Sequence, residues 1–237
     1  MPASFAERKA KILADLSIPD AQYQDLSPKG SVDEGIRELI GEINALPDCV
    51  TTSSCAGRVA VYVEGFKAAK GGGKWLFTSH DPVALPRVLE KGSLYQRFGL
   101  LHTSEPSVPW SDDDGARFVH LKFEPLILHI LTANHQAAQH AAAAALQAGF
   151  RESGVNGILD LSKGHIHQPA TPMVAVRSSG LAFDCIIGYT DSSSENPEIK
   201  PMVTEDYLRT LVDVANQRFV VNRERTGRFR KALLRQT

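Results

Sequence analysis

The order in which helical and strand-like segments follow one another narrows the fold of this chain more than any single motif. Helical patterning comes first at Phe5 to Leu16, stopping before Pro19. It returns in SVDEGIRELIGEINAL, where Val32, Ile36, Leu39, Ile40 and Ile43 recur at helical spacing, Ser31 and Glu34 suit a capping box, and Pro47 ends the run. Strand-like runs follow at Val50 to Thr52, Val59 to Val63, and Lys74 to Ser79 after a turn at glycines 71 to 73. Asp81-Pro82 resembles a helix start, although Pro86 lies too far inside for a regular helix. A polar stretch from Leu100 to Gly115 reads as a surface loop. Two more strands, Arg117 to Phe123 and Leu126 to Leu131, flank Glu124-Pro125. The plainest helix is NHQAAQHAAAAALQAG, capped by Asn134, filled with alanine and closed by Gly149. PMVAVRSSGLAFDCIIGY predicts a hairpin, Met173 to Arg177 with Leu181 to Ile187. Thr204-Glu205-Asp206 then opens a long helix with Leu208, Leu211, Val212, Ala215 and Phe219 on its inner stripe. Strands and helices mixed without regular alternation predict an α+β fold rather than a doubly wound sheet. No linker divides the chain, which reads as a single domain over residues 1–237.

Composition excludes little but decides where to look. With 43% hydrophobic and 22% charged residues and a formal net charge of -1, any binding to a polyanion must come from local clustering of charge. Three cysteines without CxxC spacing argue against a disulfide framework or a zinc ribbon, and fit a reducing, cytoplasmic setting. The charged N-terminus does not read as a secretory signal, and no apolar run approaches the roughly 20 residues that span a bilayer.

The familiar cofactor loops are missing. GGGKW would need glycine at Ala68 and a hydroxyl residue at Trp75 to be a phosphate-binding loop, and no G-x-G-x-x-G joins a strand to a helix. Chemistry-bearing residues gather instead in TTSSCAGR. Cys55 beside Arg58, with His80 closing a neighbouring strand, could form a nucleophile and its base. Ser53, Ser54, Gly57 and Arg58 suit another task, a backbone nest with hydroxyls and a cation for a phosphate or carboxylate. An ordinary serine-rich turn is the plain alternative. CVTTSSCAG is echoed by MVAVRSSG, a match short enough to arise by chance. His165 and His167 lack a further ligand nearby and read as solvated, while His120 and His129 fit structural roles within strands. From Arg218 onward the C-terminal helix carries Arg218, Arg223, Arg225, Arg228, Arg230, Lys231 and Arg235 against one acid, Glu224. Favourable placement at the negative end of the helix dipole explains a few of these cations; tracking a phosphate backbone would explain more.

Several strings together resemble the tRNA wybutosine-synthesising methyltransferases, the third protein of that pathway. They are DLSPKGSVDEGIRELIGEIN, TTSSCAGRV, GKWLFTSH, LKFEPLILHI, GFRESGVN, MVAVRSSGL and MVTEDYLRTLVDVANQRF, in the family's order over about residues 25–230. The resemblance implies an α+β fold with a mixed, largely antiparallel sheet closing toward a barrel, flanked by helices and a long C-terminal helix. It implies methyl transfer from S-adenosylmethionine to a ring nitrogen of the tricyclic wybutosine precursor, beside the anticodon of phenylalanine tRNA. The anticodon stem-loop is then the partner, and no metal is called for.

Carried over by motif, Ser53, Ser54, Cys55, Gly57, Arg58, Trp75, Arg177 and Ser178 are the candidates for holding the cofactor. His80 is the candidate general base, with Glu124 as runner-up. Lys74, His129, Arg223, Arg225, Arg228 and Arg230 are the candidates for tRNA. Arg58 and Arg177 suit anions, and Trp75 can stack on adenine or on an extruded base. A non-catalytic tRNA-binding module, or a cysteine-dependent hydrolase using Cys55 and His80, remain the alternatives.

Overall fold

The computed structural model describes residues 3–18, 32–65, 72–85, 93–101, 106–108, 116–157, 171–190 and 198–235. Ser31, the glycine at 71, His165, His167 and most of the 100–115 stretch lie outside them. The elements are α1 (Phe5–Leu16), a 3-10 turn (Glu34–Ile36), α2 (Arg37–Ala45), β1 (Cys49–Cys55), β2 (Arg58–Val63), β3 (Lys74–Ser79), α3 (Ser93–Phe98), β4 (Arg117–Glu124), β5 (Ile127–Thr132), α4 (His135–Ala148), β6 (Gly154–Asn156), β7 (Met173–Val176), β8 (Phe183–Thr190), β9 (Lys200–Pro201) and α5 (Glu205–Leu233). The expected α+β class is the observed one, and its strands pair antiparallel in two sheets, one of them curled as a half-barrel. Two compact units result, each assembled from separate stretches of chain.

The first unit comprises Met1–Gly57, Pro125–Gly180 and Asn222–Thr237, with its sheet in the order β1-β5-β7-β6. Its core joins Ile36, Leu39, Ile40 and Ile43 to Leu126, Leu128 and Ile130 of the sheet side, and Phe150 meets Phe229 edge-on at 6.2 Å. Helix α4 begins where the Asn134 side chain accepts the Ala137 amide at 2.9 Å, and ends at Gly149, whose φ of 101° is left-handed. Ala138, Ala141, Ala145 and Ala148 form its buried stripe. Each alanine removes little apolar surface, at roughly 25 cal/mol per Å². What the small side chains supply is close approach. α1 carries a capping box between Ser4 and Glu7.

The second unit comprises Arg58–Glu124 and Leu181–Val221, with its sheet in the order β3-β2-β4-β8-β9. Val59, Val61 and Val63 alternate inward on β2, matching Val119, Leu121 and Phe123 on β4. The predicted helical stripe Leu208, Leu211, Val212, Ala215 and Phe219 is buried in this core, with Phe219 edge-on to Phe123 at 5.0 Å.

Three expectations are corrected. β7 and β8 are not a hairpin: β7 lies between β5 and β6, whereas β8 pairs with β4 and β9. Residues 177–182 separate them, and the hydroxyls of Ser178 and Ser179 are taken by other partners, so no tight turn forms. β1 extends through Ser53 and Ser54 to Cys55, where the sequence suggested a turn or nest. Finally, residues 82–85 are not helical, and the short helix present is α3, which carries no strong start signal.

Candidate functional site

In the first unit the serine motif is the end of a strand. Register pairs Ser53 with His129, Ser54 with Leu128 and Cys55 with Ile127, after an irregularity between Thr51 and Ser53. An inserted residue of this kind re-aims the side chains that follow it. Ser53 Oγ then lies 2.7 Å from His129 Nδ1, a hydroxyl–imidazole pair built across two strands. Ser53–Cys55 are committed to the β ladder, and Gly57, with φ of 98°, takes the left-handed conformation where the chain leaves it. The peptide before Gly57 is held at both ends. Ala56 N–H donates to Asp33 Oδ2 at 2.7 Å, and Ala56 C=O accepts from Asn222 Nδ2 at 2.8 Å. Asn222 Oδ1 accepts the Leu126 amide at 2.8 Å, so this buried side chain fixes two stretches of backbone. Nothing in the local sequence marked Asp33 or Asn222; the residues they hold are 23 and 166 positions away.

The echo motif is also bound up internally. Arg177 donates its backbone N–H to Ser153 Oγ at 3.1 Å and its Nε–H to the Glu152 carbonyl at 3.1 Å. Ser179 donates N–H and O–H to the Glu152 carboxylate, the backbone bond contributing most to holding that carboxyl below its usual range. Ser178 is buried and its Oγ accepts from Arg225 at 2.9 Å.

The C-terminal arginines have the same character. Arg225 also donates to the Gly149 carbonyl at 3.1 Å, and Arg228 to the Ala148 carbonyl at 3.3 Å, so both serve the C-terminal end of α4. Arg230 pairs with Glu38 at 2.7 Å and with Glu42, and these carboxylates raise its pKa. Arg223 is exposed.

In the second unit Arg58 on β2 meets Glu124 of β4 and Trp75 of β3, the strands on its two sides. Arg58 Nε lies 2.7 Å from Glu124 Oε2, its register partner on β4, and Arg58 Cζ sits 4.7 Å from the centre of the Trp75 ring. The Arg58 side chain is 18% exposed, while Trp75 keeps 39% of its surface open. Tyr62 flanks Trp75 with ring centres 4.9 Å apart. Lys74 is exposed at the start of β3, and His80, half-buried, follows its end. Glu124 has one carboxylate oxygen on the Arg58 guanidinium, a charge-assisted hydrogen bond. A cation against an aromatic side chain that stays partly exposed is an arrangement that fits an anionic nucleoside.

Further along the same sheet His120 is held by two carboxylates, Asp184 at 2.7 Å from Nδ1 and Glu64 at 3.0 Å from Nε2. Lys122 lies 2.8 Å from Asp184. Burial works against ionisation of Asp184, but the hydrogen bonds from Lys122 and His120 outweigh it and hold this carboxyl below its usual value. None of the three cysteines is in a disulfide. Burial, aided by the charge of Asp48, pushes the Cys49 thiol up to about 11, and burial also raises Cys185.

With this geometry in hand, relatives can be compared. The family model described as methyltransferase TYW3 matches residues 7–235. The chain belongs to that family. It is 38% identical over 236 residues to tRNA wybutosine-synthesizing protein 3 of Schizosaccharomyces pombe, covering 98% of this chain and 88% of the relative. Against the protein of the same name from Saccharomyces cerevisiae it is 33% identical, covering 92% and 77%. Among solved structures, the PH1069 protein from Pyrococcus horikoshii superposes with a TM-score of 0.68 at 24% identity, covering 98% of this chain and 97% of that one. A hypothetical protein from Aeropyrum pernix gives 0.55 at 21% identity over 85% and 97%. Both likenesses speak for the fold alone. Among the described residues, no helix is long and apolar enough to cross a membrane.

Proposed function

We propose that this chain is an S-adenosylmethionine-dependent methyltransferase acting on the wybutosine precursor base beside the anticodon of phenylalanine tRNA. The whole chain, 1–237, is treated as one methyltransferase-like domain, since the family model runs across both units. The names of the two yeast relatives support the tRNA substrate. The observation that carries the reading is the Arg58 guanidinium over a half-open Trp75 ring. The methyl donor supplies an electrophilic methyl group on a sulfonium. Arg58 and Trp75 fit what such a nucleoside presents, a carboxylate and a flat base, or the same features on the tRNA base. Ser53, Ser54, Cys55, Gly57, Arg177 and Ser178 stay as further candidates for cofactor contact; Ser178 ranks last because its hydroxyl already accepts from Arg225.

For transfer, the acceptor nitrogen must present its lone pair in line with the departing sulfur, and its proton must leave to a base. His80 is assigned that role, and Glu124 the role of orienting Arg58. For tRNA, Arg223 and Lys74 are proposed as contacts because both are exposed, while Arg225, Arg228 and Arg230 hold carbonyls, a hydroxyl and carboxylates of the fold. His129, paired with Ser53, is kept as a contact for the loop. The cytoplasm is the proposed location, in keeping with three cysteines that form no disulfide.

The test is direct. The protein is titrated with S-adenosylmethionine, then incubated with methyl-labelled donor and phenylalanine tRNA from cells lacking the methylation step. Labelled base that requires Arg58, with turnover surviving Cys55→Ala, supports the reading. Intact tRNA binding without donor binding or label would replace it with the non-catalytic module.

A further inference from the structure

We infer that Tyr62 is the positioning residue for the Trp75 ring, and that residue 73 is glycine because Tyr62 fills the space a side chain there would need. The inference rests on the proposed reading of Trp75 as a stacking surface and deepens it. Three observations within the second unit converge.

The strand register brings the two rings together. β2 and β3 run antiparallel with Val59 opposite Ser79, Ala60 opposite Thr78 and Val61 opposite Phe77, but Tyr62 then faces Trp75 rather than Leu76. Leu76 is thus the extra residue of a bulge. It packs with Phe77 against the core of the unit, leaving Trp75 to stand on the same face as Tyr62. Directly opposed side chains on one face of a sheet are close enough to fix one another.

The rings meet with centres 4.9 Å apart and planes tilted by 55°. Arg58 approaches the Trp75 ring from elsewhere on β2, with Cζ 4.7 Å from its centre. Arg58 and Tyr62 are four residues apart on one strand and so share a face, which leaves the indole flanked by a cation and an aromatic ring. Arg58 is in turn held by Glu124, so its end of the arrangement is fixed too.

Gly73 supplies the third observation. A Cβ built there would overlap the hydroxyl and ring of Tyr62 and come within 2.6 Å of the Val63 carbonyl oxygen. Its backbone is not in the left-handed region, so the demand is for space alone. The stretch GGGKW, which has the wrong spacing for a phosphate loop, thereby gains a different use. Its last glycine admits Tyr62, and its tryptophan is what Tyr62 positions.

The experiment uses the full chain in a Trp110→Phe background, which leaves Trp75 as the one tryptophan of two. Acrylamide quenching of Trp75 emission and the affinity for S-adenosylhomocysteine are measured for Tyr62→Phe, Tyr62→Ala and Gly73→Ala, with circular dichroism as the check on folding. Tyr62→Ala and Gly73→Ala are expected to raise quenching and to weaken binding by about tenfold, the scale of one lost stacking contact. Tyr62→Phe keeps the ring and is expected to preserve both. Unchanged quenching in Tyr62→Ala, or a loss in Tyr62→Phe as large as in Tyr62→Ala, overturns the inference. If Gly73→Ala fails to fold, the Tyr62 pair of variants decides alone. Should the parent protein bind no S-adenosylhomocysteine, the reading of Trp75 as a cofactor platform fails, while quenching still decides whether Tyr62 positions the ring.

Discussion

Arg58 and the arginines of α5 look alike in sequence and are used differently. Arg225 and Arg228 turn onto the last carbonyls of α4, and Arg230 onto Glu38 and Glu42. Arg58 leans on the face of Trp75 with the Glu124 carboxylate beside it. A count of positive charge along a helix therefore overstates what is left for a ligand. What matters is whether the fold already supplies acceptors, and helix C-termini always offer some.

The sharpest way to break this contrast is at Arg58. Arg58→Ala is expected to lower affinity for the methyl donor by about 10- to 100-fold, the scale of a charge-assisted hydrogen bond, while changing thermal stability little. Calorimetric titration and a melting curve check both halves; a large drop in Tm with unaltered affinity would place Arg58 with the structural arginines.

Arg225→Ala should behave in the opposite sense. Losing its donors to the Gly149 carbonyl and Ser178 Oγ is expected to cost about 1–3 kcal/mol of stability in urea denaturation, with affinity per folded molecule retained. A Ser178→Ala variant with weakened donor binding but full stability would reverse the comparison for that pair.

A smaller effect belongs to Lys122, whose partner is Asp184. The folded carboxyl of Asp184 lies below its unfolded value, so its stabilising contribution is present above the usual aspartate range and is lost as pH falls through the folded value. Asp184→Asn should accordingly lower stability slightly at neutral pH, where the contribution is present, and converge on the parent below about pH 4, which flattens the acid limb. An unchanged acid limb would remove Asp184 from the account.

The smallest effect is expected for Arg230→Ala. Its paired carboxylates lie on α2 near the surface, so a slight fall in Tm at low salt should vanish at high salt. A salt-independent loss would show packing rather than charge at work.

Local signals carried most of the elements. α1, α4 and β3 have the predicted bounds, and the inner stripe of α5 is buried residue for residue, because caps, glycine stops and periodicity act within a few positions. Pairing was less legible. The Ser-Ser-Gly after β7 resembles a hairpin turn, yet Glu152 and Arg225 claim its serines and β8 finds its neighbours in β4 and β9. The candidate site divides in the same manner. Ser53, Arg58 and Trp75 announced themselves by residue type, whereas Asp33, Asn222 and Tyr62 are ordinary in sequence and gain meaning only from what they touch.

By itself, then, the sequence determined the family, the α+β class and the motifs that concentrate hydroxyl, thiol, aromatic and cationic groups, all of which depend on residue identity and short spacing. Only the tertiary structure decided that TTSSC is a strand, that Ala56 is clasped from both sides, and that the basic helix spends its arginines on α4 and α2. Hydrogen-bond partners in a folded chain are chosen by proximity in space. A buried donor or acceptor takes the nearest complementary group, however many residues lie between them.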